Sequence, residues 1–276
     1  MRRKMSKSKA KGAPRLENED ADDEVEASRA PLMDHLIELR TRLIRIVAAV
    51  IIGFIVCFIF AETIYNVLLI PFEEAAARIR GEDLQLELIF TAPLEFFFAK
   101  VKLALFGGLI LAIPVFAYEI YAFVAPGLYK NEKKAFAPFL IGAPALFAAG
   151  AALVYFFVLP FVMRFALGQE QPSNGDGPSI QLLTRVSDYL DLVTTLILAF
   201  GISFQLPILL MLLAMAGIVT SKQLVNFWKF ALVGIFGFAA FVTPPDPISQ
   251  IILGSVLMAL YGLAIIGVKF VEPKDE

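Results

Sequence analysis

The sequence predicts an all-α integral membrane protein: six transmembrane helices in a cupped bundle of kinked helices, with the N- and C-termini cytoplasmic. Three observations predict it. Of 276 residues, 58% are hydrophobic and 18% charged, where soluble domains run at roughly 45–50% and about 25%. Uncharged runs recur at 46–61, 103–118, 135–163, 192–221, 230–245 and 247–268, and roughly 20 helical residues cross a hydrocarbon core about 30 Å thick. Lys and Arg divide unevenly between alternate connections, eighteen on one side against six on the other. The richer side is cytoplasmic, and an even number of spans returns the C-terminus there.

Residues 1–15 carry seven Lys/Arg and no acid, and 17–26 carry seven Asp/Glu. Such a block buries too little apolar surface to order itself and lacks the apolar core of a signal peptide. Residues 1–32 are therefore expected to be a disordered, charged cytoplasmic tail, 33–270 the membrane domain, and 271–276 a short cytoplasmic tail. Span one extends back through Leu43 and Ile44, with Arg45 snorkelling. Span two continues past Glu119 to about Val124, and runs three and four are long enough to include interfacial turns. Spans five and six are separated by Thr243-Pro244-Pro245-Asp246-Pro247, which no helix crosses. The stretch 230–245 reaches only about 24 Å as a helix, short enough to ask for local bilayer thinning or partner packing.

On the exterior side, 63–96 mixes apolar and acidic positions, as short interfacial helices do, and 168–179 reads as a flexible loop. Pro114, Pro138, Pro144, Pro160 and Pro207 fall within or near spans two to four. Each interior proline removes a backbone donor and bends its helix, unless membrane helices merely tolerate it.

Composition narrows the function. One Cys and one His (Cys57, His35) leave no cysteine metal site, no disulfide within the chain and no paired-His site. The formal charge of −2 supplies no basic field for nucleic acid. There is no Gly-x-x-x-x-Gly-Lys-Ser/Thr phosphate loop, no His-Glu-x-x-His and no intramembrane Asp pair. No cofactor is expected. The polar residue that stands out is Gln205, near the centre of a 30-residue uncharged run. An amide in hydrocarbon needs a partner. It is either a helix–helix hydrogen bond worth about 1 kcal/mol or part of a polar site, and a small-solute secondary transporter built around it is the alternative function. On the cytoplasmic side, Glu38 and Arg42 share a helix face at i, i+4, and Glu132 reads as a loop charge within 122–134.

Four stretches together resemble TatC, the multispanning subunit of the twin-arginine protein translocase: His-Leu-Ile-Glu-Leu-Arg-Thr-Arg at 35–42, Tyr-Ala-Phe-Val-Ala-Pro-Gly-Leu-Tyr-Lys-Asn-Glu-Lys-Lys at 121–134, Phe-Gly-Ile-Ser-Phe-Gln-Leu-Pro at 200–207, and Thr-Pro-Pro-Asp-Pro-Ile-Ser-Gln at 243–250. The resemblance covers about 33–270. It implies a receptor and scaffold rather than an enzyme, one that binds Arg-Arg signal peptides of folded precursors in the bacterial inner membrane. It further implies TatA- and TatB-type single-span partners, self-association, and export driven by the proton-motive force. Signal-binding positions of the family map onto Glu38, Leu39, Arg40, Phe123 and Glu132, and exterior motif positions onto Pro71, Asp246 and Gln250. Gln205 stands where many relatives carry Glu.

Overall fold

A computed structural model describes residues 16–81, 88–124, 130–171, 180–242 and 247–271, with backbone course alone at 16–35, 80, 123–124, 130–139 and 247–249. It divides into two units, Met1–Arg45 and Ile46–Glu276. The described elements are helical, with isolated β-bridges only. They run α1 (Leu16–Ile59), α2 (Ala61–Arg80), α3 (Glu95–Val124), α4 (Lys130–Leu153), a π-helical turn (Val154–Val158), α5 (Leu159–Leu167), α6 (Val186–Ser203), α7 (Leu206–Met215), α8 (Ser221–Asn226), α9 (Trp228–Val242) and α10 (Pro247–Val271).

The described backbone is helical from Leu16, inside the segment the sequence reads as a disordered tail. Low hydrophobicity argues against a packed core there, but not against a helix. Leu, Glu and Ala are strong helix formers, and Glu17 and Glu19 sit at the positive end of the helix dipole.

Among the described residues, five stretches are long and apolar enough to cross a membrane: Leu36–Ile59, Glu95–Ala122, Leu140–Leu167, Val186–Met215 and Gln250–Val271. The fifth of the six spans read from sequence is the shorter α9, whose 15 residues rise only about 22 Å. The proline expectation takes a specific form in spans three and four. The π turn occupies the residues just before Pro160, and α6 gives way to α7 at Phe204–Gln205, just before Pro207. Each proline withholds the N–H that a regular helix would give to the carbonyl four residues earlier, so the ladder re-forms with a wider or interrupted turn.

The segment 63–96 differs from the expected short interfacial helices. Most of it is one 20-residue helix, α2, with Tyr65, Leu68, Leu69, Phe72, Ala75 and Ala76 buried along one face. That face packs chiefly on α5. Where α3 begins, the Glu95 carboxylate accepts the Thr91 N–H at 2.7 Å, the Ala92 N–H at 3.3 Å and the Ser187 hydroxyl at 2.6 Å, tying α3 to the first turn of α6. Beside it, Ile89 pairs with Arg185, and Lys102 meets Asp191 at 3.1 Å. Gln171 and Ile180 pair across the mouth of the predicted loop, of which 172–179 lies outside the described residues.

The main core of the second unit gathers Phe72, Leu103, Leu159, Val193, Leu196, Phe200 and Leu253. Close approach of α4 and α6 depends on Gly201, where an added Cβ would lie 2.3 Å from the Phe147 ring. α1 and α3 meet similarly at Gly53 and Gly108, where an added Cβ would strike the facing backbone at 2.9 and 2.6 Å. A smaller core (Ala214, Leu224, Tyr261, Val268) joins α7, α8 and α10, with the Tyr261 hydroxyl donating to the Leu224 carbonyl at 2.8 Å. A Thr220–Gln223 capping box starts α8.

Candidate functional site

The first unit carries Glu38, Leu39 and Arg40 on α1. Leu39 and Arg40 are exposed, whereas Glu38 is partly covered and accepts a hydrogen bond from the Arg42 guanidinium one turn on. The i, i+4 pairing read from sequence is thus formed. It fixes the carboxylate's rotamer at the start of the first apolar span, with a charge-assisted bond to a forked donor.

In the second unit, Phe123 lies in the last turn of α3 and Glu132 in the first turn of α4. Both side chains lie outside the described residues. Glu132 belongs to a helix rather than to the loop expected for it, and there the dipole of α4 favours a negative charge. Glu119, near the same end of α3, is a buried carboxylate that the sequence did not single out.

Gln205 is the junction residue between α6 and α7. Its Nε2 donates to the Ala143 carbonyl of α4 at 2.8 Å. The junction lines a groove of about 660 Å³ between α3, α4, α6 and α7, walled by Ile113, Phe116, Ile120, Leu140, Phe147, Ile202 and Leu209. Among the described residues that line the groove, only Gln205 and Tyr121 carry polar side-chain groups. The helix-to-helix bond weighed from sequence is therefore made, and the same amide faces an apolar trough.

Of the remaining motif positions, Pro71 sits inside α2 and is buried. Gln250, on α10, donates its amide to the Phe236 carbonyl of α9 at 3.3 Å. Asp246 lies outside the described residues. The structure brings Pro71 together with two residues that sequence reasoning passed over, Tyr155 and Tyr189, whose hydroxyls reach the carbonyls of Val67 and Leu68. No local pattern marks those tyrosines. The available signal was the proline itself, which leaves an acceptor unsatisfied four residues before it. Among the described residues no group of three or more His, Cys, Asp or Glu is arranged to hold a metal ion.

The family model for the Sec-independent protein translocase protein (TatC) matches residues 34–255. The TatC protein of Magnetococcus marinus is 42% identical over 246 residues, covering 89% of this chain and 86% of that one. The TatC protein of Rickettsia prowazekii is 40% identical over 239 residues, covering 87% and 92%. A crystal structure of the twin arginine translocase receptor TatC superposes with a TM-score of 0.71 at 36% identity, covering 86% of this chain and 99% of that one. With its apolar helices and this match along nearly the whole membrane region, the chain is a multi-pass membrane protein that belongs to the TatC family of Sec-independent protein translocase proteins.

Proposed function

We propose that this chain is the receptor and scaffold of a twin-arginine translocase, binding Arg-Arg signal peptides of folded precursors from the cytoplasmic side of the bacterial inner membrane. The observation that carries the reading is Glu38, an oriented carboxylate at the root of the first span, in a chain 36% identical to a solved twin arginine translocase receptor. Two adjacent guanidinium groups need acceptors for planar, forked donors, and carboxylates provide them. Glu38 and Glu132 supply the pair, Leu39 and Arg40 flank it, and Phe123 packs on the apolar part of the signal. An incoming Arg competes with Arg42 for Glu38, so the site exchanges one guanidinium for another and avoids leaving a bare charge.

In this reading α9 is a sixth, short span and both termini are cytoplasmic, in keeping with the excess of Lys/Arg on that side. TatA- and TatB-type single-span partners dock at the apolar groove, where Gln205, its nitrogen given to Ala143, offers its carbonyl oxygen. Pro71, Asp246 and Gln250 belong to the opposite, exterior side. Copies of the chain self-associate, and the proton-motive force drives export.

The test is signal-peptide crosslinking and reporter export for Glu38→Ala, Glu132→Ala and the double variant, with Glu73→Ala as control. Each single loss is expected to weaken binding roughly ten- to a hundredfold, the worth of one charge-assisted hydrogen bond. Wild-type binding by both single variants would overturn the carboxylate pair. Reporters fused after Lys274 and within 168–179 check topology, with the first expected in the cytoplasm and the second outside.

A further inference from the structure

Pro71 has no N–H to give, so the Val67 carbonyl four residues earlier loses the donor a regular helix would supply. A carbonyl left unsatisfied in a packed or lipid-facing helix is costly, and it is normally found with a partner. Here the partner comes from elsewhere in the fold. The Tyr155 hydroxyl donates to the Val67 carbonyl at 2.8 Å. The next carbonyl, Leu68, receives the Tyr189 hydroxyl at 2.6 Å. Two phenols from two different helices thus dock on consecutive carbonyls of a third, in the turn that precedes the proline.

The surroundings set both rings. Tyr189 is 1% exposed, and its ring stacks on Phe72 with centroids 5.2 Å apart. Tyr155 lies in the π turn between α4 and α5, its ring edge-on to Phe156 at 5.0 Å. A π turn inserts one residue into the helical ladder and shifts the side chains that follow it around the axis. Here it adjoins the α5 surface on which α2 packs. The Tyr189 bond is buried and the Tyr155 bond exposed.

We propose that Tyr155 and Tyr189 are positioning residues that hold α2 at Pro71, through the carbonyl the proline leaves without its donor and the carbonyl next to it. The course of α2 over the bundle is then set by two other helices rather than by its own hydrogen-bond ladder. The role assigned to Pro71 is to vacate an acceptor: the proline and the tyrosines are one device. That makes a reciprocal prediction which a purely packing role for Tyr155 does not make.

The experiment compares wild type, Tyr155→Phe, Pro71→Ala and the double variant of the full chain in lipid nanodiscs by backbone hydrogen–deuterium exchange across 61–80. Export of an Arg-Arg reporter is followed in cells in parallel. Tyr155→Phe removes one oxygen and keeps the ring, and it is expected to speed exchange around Val67 about five- to fiftyfold, as an unsatisfied carbonyl should, and to slow export. Pro71→Ala restores the intrahelical donor, so the double variant is expected to return to within about twofold of Pro71→Ala alone. Tyr189→Phe is expected to speed exchange in the same segment. Unchanged exchange in Tyr155→Phe, or failure of Pro71→Ala to rescue it, overturns the proposal. Exchange does not depend on what the chain transports, so this outcome is separable from failure of the receptor reading.

Discussion

The first and fourth apolar spans are almost equally hydrophobic yet are packed in different ways. Over an 18-residue stretch of each, mean hydropathy is 2.5 in Leu36–Ile59 and 2.4 in Val186–Met215, but 11% of those residues are buried in the first against 44% in the other. Ile51, Ile52, Ile55 and Ile59 of the first span are all more than half exposed. In the fourth, Val193, Leu196 and Phe200 are fully enclosed. Apolarity places a helix in the membrane without deciding what it packs on. Lipid tails are as apolar as leucine, so burial between helices follows shape and hydrogen bonding. The fourth span has both: Gly201 admits the Phe147 ring, Tyr189 reaches the Leu68 carbonyl, and Gln205 reaches the Ala143 carbonyl.

The largest expected effect comes from filling the close approach. Gly201→Leu drives its side chain into Phe147, where Cβ alone would sit 2.3 Å from the ring. Overpacking of this kind costs about 3 kcal/mol, and a strongly lowered unfolding temperature in detergent, with poor accumulation, should follow. An unaltered melting curve would break the comparison at its strongest point.

Opening a void is the next step down. Leu196 is 0% exposed, so Leu196→Ala should cost about 2 kcal/mol through lost dispersion contacts and the cavity left behind. Titration with a denaturing detergent measures it.

Gln205 sharpens the polar side of the comparison. Gln205→Leu should lose about 1 kcal/mol of helix–helix bonding and weaken partner association. Because Nε2 is the donor to Ala143, Gln205→Glu keeps the bond only while the new carboxyl is protonated. Stability and export of that variant should therefore be near wild type at low pH and fall as pH rises through the carboxyl's pKa. Wild-type stability of Gln205→Leu would show that this bond does not hold α4 to the α6–α7 junction.

The smallest effect belongs to the first span. Ile52 is 64% exposed, and Ile52→Ala should change the unfolding free energy of the isolated chain by no more than about 0.5 kcal/mol. A larger loss measured only in native membranes would mean that a partner covers this face there.

Much of the candidate site was legible. The Glu38–Arg42 pair follows from i, i+4 spacing on a helix, a local rule that needs no knowledge of the fold. Gln205 stood out because an amide in a long uncharged run must find a partner, though its spacing could not name Ala143, 62 residues away. The mixed pattern at 63–96 reads as short interfacial helices, whereas α2 is one 20-residue helix. Its buried set of Tyr65, Leu68, Leu69, Phe72, Ala75 and Ala76 repeats at helical spacing, but the acidic residues between them give the stretch an interfacial composition. Glu132 reads from its local sequence as a loop charge, whereas α4 begins at Lys130.

Which stretches are helical and apolar enough for a membrane, and where prolines interrupt them, can be read from the residues alone. Those are properties of a residue and its near neighbours: transfer free energy, helix propensity and a missing N–H. Which apolar faces are enclosed, which of two equally hydrophobic spans forms the core, and where each displaced hydrogen bond goes follow instead from how the helices pack. The Val67 carbonyl is lost to Pro71 within α2 and recovered by Tyr155 from 88 residues away. The loss is local and readable, but the recovery depends on how three helices come together.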